Sequence, residues 1–107
     1  MEVLQPYLDK TDLKLCWDIE KTYASDGTVN QKVLAFLIKN KLKVDQVHLH
    51  SLINGRSHRV IQTGVIDFSY YLGLFTNARV RDYCIEVRPK EKAVESLRNL
   101  ESILTQV

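Results

Sequence analysis

The sequence has 107 residues, enough for one small domain and too few for two. Its formal net charge of +2, from 15 Lys and Arg against 13 Asp and Glu, is too small to indicate nucleic acid as a partner. No apolar run approaches the roughly 18 residues of a membrane span, and no basic stretch followed by an apolar segment marks a secretory signal. We therefore expect a cytoplasmic protein with neither a membrane nor nucleic acid as a partner.

The first half of the chain predicts a short helix, a strand and a second helix. Residues 3–9 predict one or two helical turns, and from 13 to 18 apolar and polar side chains alternate with the period of a strand. Thr28, with Gln31 three residues later, predicts a capping box in which each side chain binds a free backbone N–H. The apolar residues that follow fall on one face of a helix, which we expect to end at about Lys41.

A second strand and a basic loop follow. Residues 44–50 alternate again, with His48 and His50 on one face and apolar residues on the other. Residues 51–64 show no clear period and contain the turn signal Asn54-Gly55, so we interpret them as a loop.

The last part of the chain predicts a short helix, a third strand and a closing helix. Asp67 can cap the short helix, residues 83–87 predict the strand, and Pro89 stands where the closing helix can begin. Cys16 and Cys84 both lie in strand-like runs, which favours buried free thiols in a reducing compartment over a disulfide.

Strands separated by amphipathic helices cannot pair as hairpins, so the predicted order indicates an α/β fold with a parallel sheet. Strand starts recur about every thirty residues, the size of a βαβ unit. The predicted division is a single domain over 1–107, made of a first βαβ unit (13–50), a basic loop (51–66), and a segment with the short helix, the last strand and the closing helix (67–107).

Residues able to bind a metal stand at the end of each predicted strand: Asp18, His48 with His50, and Glu86. Functional sites of parallel α/β folds lie at the carboxyl ends of their strands. The set predicts one Mn²⁺, Mg²⁺, Co²⁺ or Zn²⁺ ion bound by Asp18, His48 and Glu86, and no organic cofactor. Taken singly, each residue has a structural alternative: Asp18 as a turn cap, His48 as a hydrogen-bonded core histidine, and Glu86 as the partner of a nearby arginine.

Further polar residues near these strand ends are candidates for substrate binding: Lys21, His50, Arg56, His58 and Arg59. Lys21 could bind a substrate oxygen or a phosphate, and the cationic loop could hold an anionic substrate through charge-assisted hydrogen bonds. His50 could instead lie behind the metal ligands, and solvated side chains are the alternative for the other residues.

Five short motifs occur in order along the chain: Cys16-Trp-Asp-Ile-Glu, Val47-His-Leu-His, Gly64-Val-Ile-Asp-Phe, Cys84-Ile-Glu-Val-Arg-Pro and Ala93-Val-Glu-Ser-Leu. Together they resemble the xylose-isomerase-like TIM barrels, a superfamily of sugar and sugar-phosphate isomerases and epimerases that also includes endonuclease IV-type apurinic-site endonucleases. The resemblance covers about residues 13–104 and implies a parallel βαβαβα segment equivalent to strands six to eight of a (β/α)8 barrel.

By position, the resemblance implies that Asp18, His48 and Glu86 are the metal ligands of these three strands. In the isomerases the equivalent of Glu86 is also the acid/base partner that moves a proton between adjacent carbons. His58 is similar in position to a loop histidine that binds a further zinc in the endonuclease branch.

The sequence departs from the family pattern at several positions. Lys21 stands where many members have histidine, Ser51 where an acidic residue often occurs, and Arg56 where the endonuclease branch has an aspartate ligand. These departures count against a trinuclear zinc site. Strands one to five, with the strand-five glutamate of such enzymes, have no counterpart in the chain.

The leading hypothesis is the C-terminal portion of a metal-dependent isomerase or epimerase-like barrel acting on a sugar or sugar phosphate, which could be inactive alone. One alternative is an apurinic-site endonuclease. Another is a non-catalytic truncated module that self-associates or binds an N-terminal barrel half.

Overall fold

The structure, a computed structural model, describes residues 4–24, 26–53, 55–62, 66–76 and 80–105. Within them the elements are, in chain order, α1 (Gln5–Lys10), β1 (Leu15–Asp18), a 3-10 helix (Ile19–Thr22), α2 (Gln31–Asn40), a second 3-10 helix (Lys41–Lys43), β2 (Val44–Leu49), β3 (Ser51–Ile53), β4 (Arg56–Arg59), α3 (Phe68–Leu74), β5 (Asp82–Ile85) and α4 (Lys90–Thr105). The predicted succession of strands and helices is thus confirmed. Across the described ranges, we find no helix that is both long enough and apolar enough to span a membrane.

The predicted parallel sheet is present, and its strand order is β1-β2-β5. β1 and β2 run in the same direction with Asp18 beside His48, and β2 and β5 do so with His48 beside Cys84. α2, between β1 and β2, and α3, between β4 and β5, return the chain to the edge of the sheet where its strands begin, as parallel connections require. The fold class is therefore α/β.

The segment predicted as a loop without regular structure contains a small antiparallel hairpin instead. β3 and β4 pair across a turn in which Gly55 has a φ of 75°, a conformation that glycine adopts without strain. Its strands have only three and four residues, and β4 consists of polar side chains, so the alternation of a half-buried strand is not visible in the sequence.

The predicted capping box at the start of α2 is wrong. The N-cap is Asn30, whose side chain accepts from the backbone N–H of Lys32 and Val33 at 3.2 and 3.3 Å. Thr28 is occupied elsewhere, because its N–H and hydroxyl both donate to Asp26 Oδ1 at 2.9 and 2.6 Å. Asparagine is among the strongest N-cap residues, so the helix begins two residues later than the box implies.

The two faces of the sheet differ in chemistry. Trp17, Val47 and Leu49 lie on the apolar face and are buried, and Trp17 stacks on Phe36 of α2 with ring centroids 6.2 Å apart. The opposite face is polar. Cys16 and Cys84 lie there as free thiols, as predicted, but both are exposed rather than buried.

Other packing positions follow the sequence pattern. Asp67 caps α3 by accepting from the N–H of Tyr70 at 3.1 Å. Tyr71 is buried in the core, whereas the neighbouring Tyr70 is 44% exposed. Within α4, the buried Ser96 accepts from the N–H of Ile61 at 3.0 Å, which fixes the chain segment after the hairpin against this helix.

Leu37 and Ile38 offer a matched test of this packing, because they are neighbours on α2 with exposures of 0% and 43%. We expect Leu37→Ala to lower the free energy of unfolding by about 2–5 kcal/mol, since it removes buried methyl groups and leaves a cavity. Ile38→Ala should cost less than about 1 kcal/mol. Urea denaturation of the two variants measures the difference, and equal losses would contradict the described orientation of α2.

Candidate functional site

The three predicted metal ligands meet at the carboxyl edge of the sheet. Asp18 is the last residue of β1, His48 lies near the end of β2, and Glu86 directly follows β5. One ligand atom from each side chain lies within 4.8 Å of the others. The register explains this convergence, because Asp18 is beside His48 and Glu86 is two residues beyond Cys84, on the same face of the sheet.

Asp18 makes its described contacts through one oxygen. Its Oδ1 accepts from the N–H of Glu20 at 3.2 Å, so Asp18 also caps the 3-10 helix, and the same atom lies 2.9 Å from His50 Nε2. Burial acts to raise the pKa of Asp18, but the His50 imidazole, the N–H of Glu20 and the charge of Lys21 together outweigh it and hold this pKa below its ordinary value. The carboxylate is therefore kept ionised, and Oδ2 is not engaged by either contact.

His50 is a buried residue that orients Asp18. Its Nδ1 accepts from the backbone N–H of His58 at 2.9 Å, so the ring hydrogen of neutral His50 lies on Nε2, which faces Asp18. A nitrogen that carries a hydrogen cannot ligate a metal. The second group with metal-ligand spacing, formed by Asp18, Glu20 and His50, is therefore better explained as a structural cluster.

His48 lies between two acceptors, the amide oxygen of Gln46 and the carboxylate of Glu86. Its Nε2 lies 3.1 Å from Gln46 Oε1 and 3.3 Å from Cys16 Sγ, and the Cys16 thiol donates to the same amide oxygen at 3.2 Å. Its Nδ1 is in contact with Glu86 Oε1. The neutral ring carries one hydrogen, so it can donate to only one of the two acceptors at a time.

Glu86 completes the group of three potential ligands. Its Oε1 is buried and lies in contact with His48 Nδ1. Two acceptors in contact repel each other unless a proton or a metal ion lies between them, and two carboxylates with an imidazole suit a divalent metal. The predicted alternative of an arginine partner for Glu86 is not seen among the described ion pairs.

A cleft of about 760 Å³ opens beside this centre. The hairpin forms one wall, with Ser57, His58 and Arg59, and the end of β5 forms the other, with Glu86 and Arg88. This position, next to the ends of β2 and β5, makes the cleft the natural place for a substrate.

The remaining predicted substrate residues differ in their relation to the cleft. His58 stacks on His50 with ring centroids 4.1 Å apart, and its Nδ1 lies 3.1 Å from the carbonyl oxygen of Glu86. Arg56 is exposed on β4 and does not line the cleft. Lys21 is exposed on the first 3-10 helix. Burial raises the pKa of Asp18, His50 lowers it, and the charge of Lys21 lowers it further by a smaller amount.

The sequence reasoning missed Gln46 and Arg88. Gln46 lies two residues before His48 on the same face of β2, so the period of two would have placed it beside that ligand. Arg88 was not among the predicted site residues, yet it lines the cleft.

Comparison of the chain with protein-family models, curated proteins and solved structures gave no match. Inferences about function therefore depend on the geometry of these side chains.

The pair formed by Asp18 and His50 predicts a pH-dependent stability of the metal-free protein. Burial would lower the pKa of His50, but contact with Asp18 raises this pKa overall. The stabilisation from protonated His50 is therefore complete below pH 6.5 and is lost as the pH rises through the pKa of His50 in the folded protein. The pKa of Asp18 is lowered, so the stabilisation from ionised Asp18 is complete above pH 3.8 and is lost as the pH falls through the pKa of Asp18 in the folded protein.

We therefore expect Asp18→Asn to lower the free energy of unfolding by about 1–3 kcal/mol between pH 3.8 and pH 6.5, and by less outside this range. Urea denaturation across the pH range in the presence of EDTA measures the cost. Asp82→Asn, at an exposed carboxylate paired with Arg81, is the control and should show no such maximum. A cost for Asp18→Asn that does not change with pH would contradict the described pair.

The contact of His48 with Glu86 predicts a fixed tautomer for the neutral ring in the absence of a metal ion. Long-range ¹H–¹⁵N NMR at a pH where the ring is neutral, on metal-free protein, should find the hydrogen on Nδ1, facing the carboxylate. Glu86→Gln removes the charged acceptor and should shift the population towards the Nε2–H form, which faces Gln46. A ring that carries its hydrogen on Nε2 in the unsubstituted metal-free protein would contradict the assignment.

Proposed function

We propose that this chain is the metal-binding, C-terminal portion of a divalent-metal-dependent isomerase or epimerase for a sugar or sugar phosphate, built like strands six to eight of a TIM barrel. The observation that carries the proposal is the convergence of Asp18, His48 and Glu86 on adjacent parallel strands. The carboxyl ends of barrel strands are where such enzymes place catalytic residues.

The donor set fits Mn²⁺, Mg²⁺, Co²⁺ or Zn²⁺. Asp18, His48 and Glu86 offer oxygen and nitrogen atoms without a thiolate, and His50 and Gln46 hold two of these ligands from behind, as outer residues commonly do in metal sites. When bound, a divalent ion polarises a substrate carbonyl and the hydroxyl beside it.

The protein residues would have distinct roles in such a reaction. Asp18 stays ionised and holds its position through His50 and the N–H of Glu20. Glu86 has a carboxylate at the cleft and would serve as both ligand and acid/base group, moving a proton between adjacent substrate carbons. His48 presents Nδ1 because Gln46 engages its other nitrogen.

The open sheet supports the idea that the active unit is larger. Within the described residues, β1 and β5 each pair on one side only. The polar face that carries the candidate ligands also exposes Cys16 and Cys84, and in a barrel this face would line the interior. We therefore propose that activity requires further strands. A non-catalytic module that self-associates would use the same open edges but would have no need of a metal.

The endonuclease alternative is less well supported. His58, which would bind a further zinc, is outside both described groups of potential ligands, and its Nδ1 is already close to the carbonyl oxygen of Glu86. Arg56 stands where that branch has an acidic ligand.

Isothermal titration with Mn²⁺ tests the proposal on the full chain. Glu86→Gln removes one charged ligand and should weaken binding at least about tenfold, equivalent to 1.4 kcal/mol. Glu101→Gln, at an exposed carboxylate on α4, is the matched control and should bind as tightly as the unsubstituted protein. Equal affinity of the Glu86→Gln and unsubstituted proteins would refute the role assigned to Glu86.

A further inference from the structure

Two arginines line the cleft beside the candidate metal centre. Arg59 extends from β4, and Arg88 lies two residues after Glu86. Both side chains are exposed, and neither takes part in the ion pairs found among the described residues. A pair of guanidinium groups is thus available at a cleft that also contains His48 and Glu86.

The carboxylates near the cleft have other described partners. Glu86, which lines the cleft, contacts His48. Glu20 accepts from the hydroxyl of Ser57 at 2.8 Å, so this hydroxyl is not free for an incoming anion. The two arginines are therefore cationic donors that the cleft can offer to a ligand.

We propose that Arg59 and Arg88 form an anion subsite that binds the phosphate monoester of the substrate. Guanidinium groups bind tetrahedral oxyanions through paired, charge-assisted hydrogen bonds. Two of them match the charge of about −1.5 to −2 that a phosphate monoester carries at neutral pH. The substrate class is then a sugar phosphate rather than a free sugar.

The geometry also gives the substrate a direction. Because Arg88 follows Glu86 by two residues, a phosphate held there would place the carbon chain of the same molecule near His48 and Glu86. The cleft volume of about 760 Å³ lies within the usual range of roughly 300–1,000 Å³ for small-molecule sites. The identification of the substrate as a sugar rests on the proposed function, whereas phosphate binding by the two arginines does not.

NMR titration of the full chain with inorganic phosphate, at constant ionic strength and with EDTA present, tests the subsite without the metal. We expect saturable shifts of the Arg59 and Arg88 Nε–H signals. Arg59→Gln and Arg88→Gln should each weaken binding about tenfold or more. Arg98→Gln, an exposed arginine on α4 outside the cleft, should leave it unchanged.

A second titration with dimethyl phosphate distinguishes a phosphate monoester from the diester of a nucleic acid backbone. The diester should bind more weakly, because it carries a single negative charge. Absence of saturable shifts, equal effects of Arg98→Gln and Arg88→Gln, or equal affinity for the two phosphates would overturn the assignment. Phosphate binding without Mn²⁺ binding would refute the proposed function alone, and Mn²⁺ binding without phosphate binding would refute the subsite alone.

Discussion

The candidate site depends on the parallel pairing of β1, β2 and β5, with β1 and β2 in one register from Cys16 to Asp18. Side chains alternate between the faces of a sheet, so a slip of one residue in β2 would exchange His48 with Val47 or Leu49. Val47 and Leu49 are almost completely buried, and moving them to the polar face would expose them. The apolar core thus fixes the register, and the register in turn fixes which polar groups meet at the strand ends.

The hairpin is the second structural element that the site requires. The N–H of His58 determines which nitrogen of His50 carries a hydrogen, and His50 in turn contacts Asp18. His58 has a positive φ of 58°, which is uncommon for a residue other than glycine. Such a conformation persists only where surrounding contacts enforce it, and stacking on His50 is one such contact. The hairpin therefore both walls the cleft and orders a carboxylate at the end of β1.

The sequence was sufficient for the parts of the fold that have a strong period and for the convergence at the strand ends. Asp18, His48 and Glu86 could be placed together because parallel strands bring their carboxyl ends to one edge. The hairpin was not predicted because its strands are too short to show a period. The cap of α2 was misplaced because Asp26 engages Thr28 and leaves Asn30 to cap the helix. Tautomers also depend on neighbours from other strands, so the difference between His48 and His50 became apparent only from three-dimensional contacts.

His48, near the end of β2, and His50, just after it, illustrate how one chain segment can supply both a candidate ligand and its support. Each imidazole has one nitrogen engaged by a neighbour, and the chemistry of that neighbour decides what the other nitrogen can do. The amide oxygen beside His48 can accept a hydrogen from Nε2 and so leave Nδ1 free for a metal ion, as the proposed function requires, while the N–H beside His50 directs the hydrogen of the neutral ring towards Asp18. The cleft that contains Arg59 and Arg88 is also lined by two of the three candidate ligands, His48 and Glu86. Under the proposed function, an ion held by these side chains and Asp18 would therefore lie beside the groups that bind the substrate.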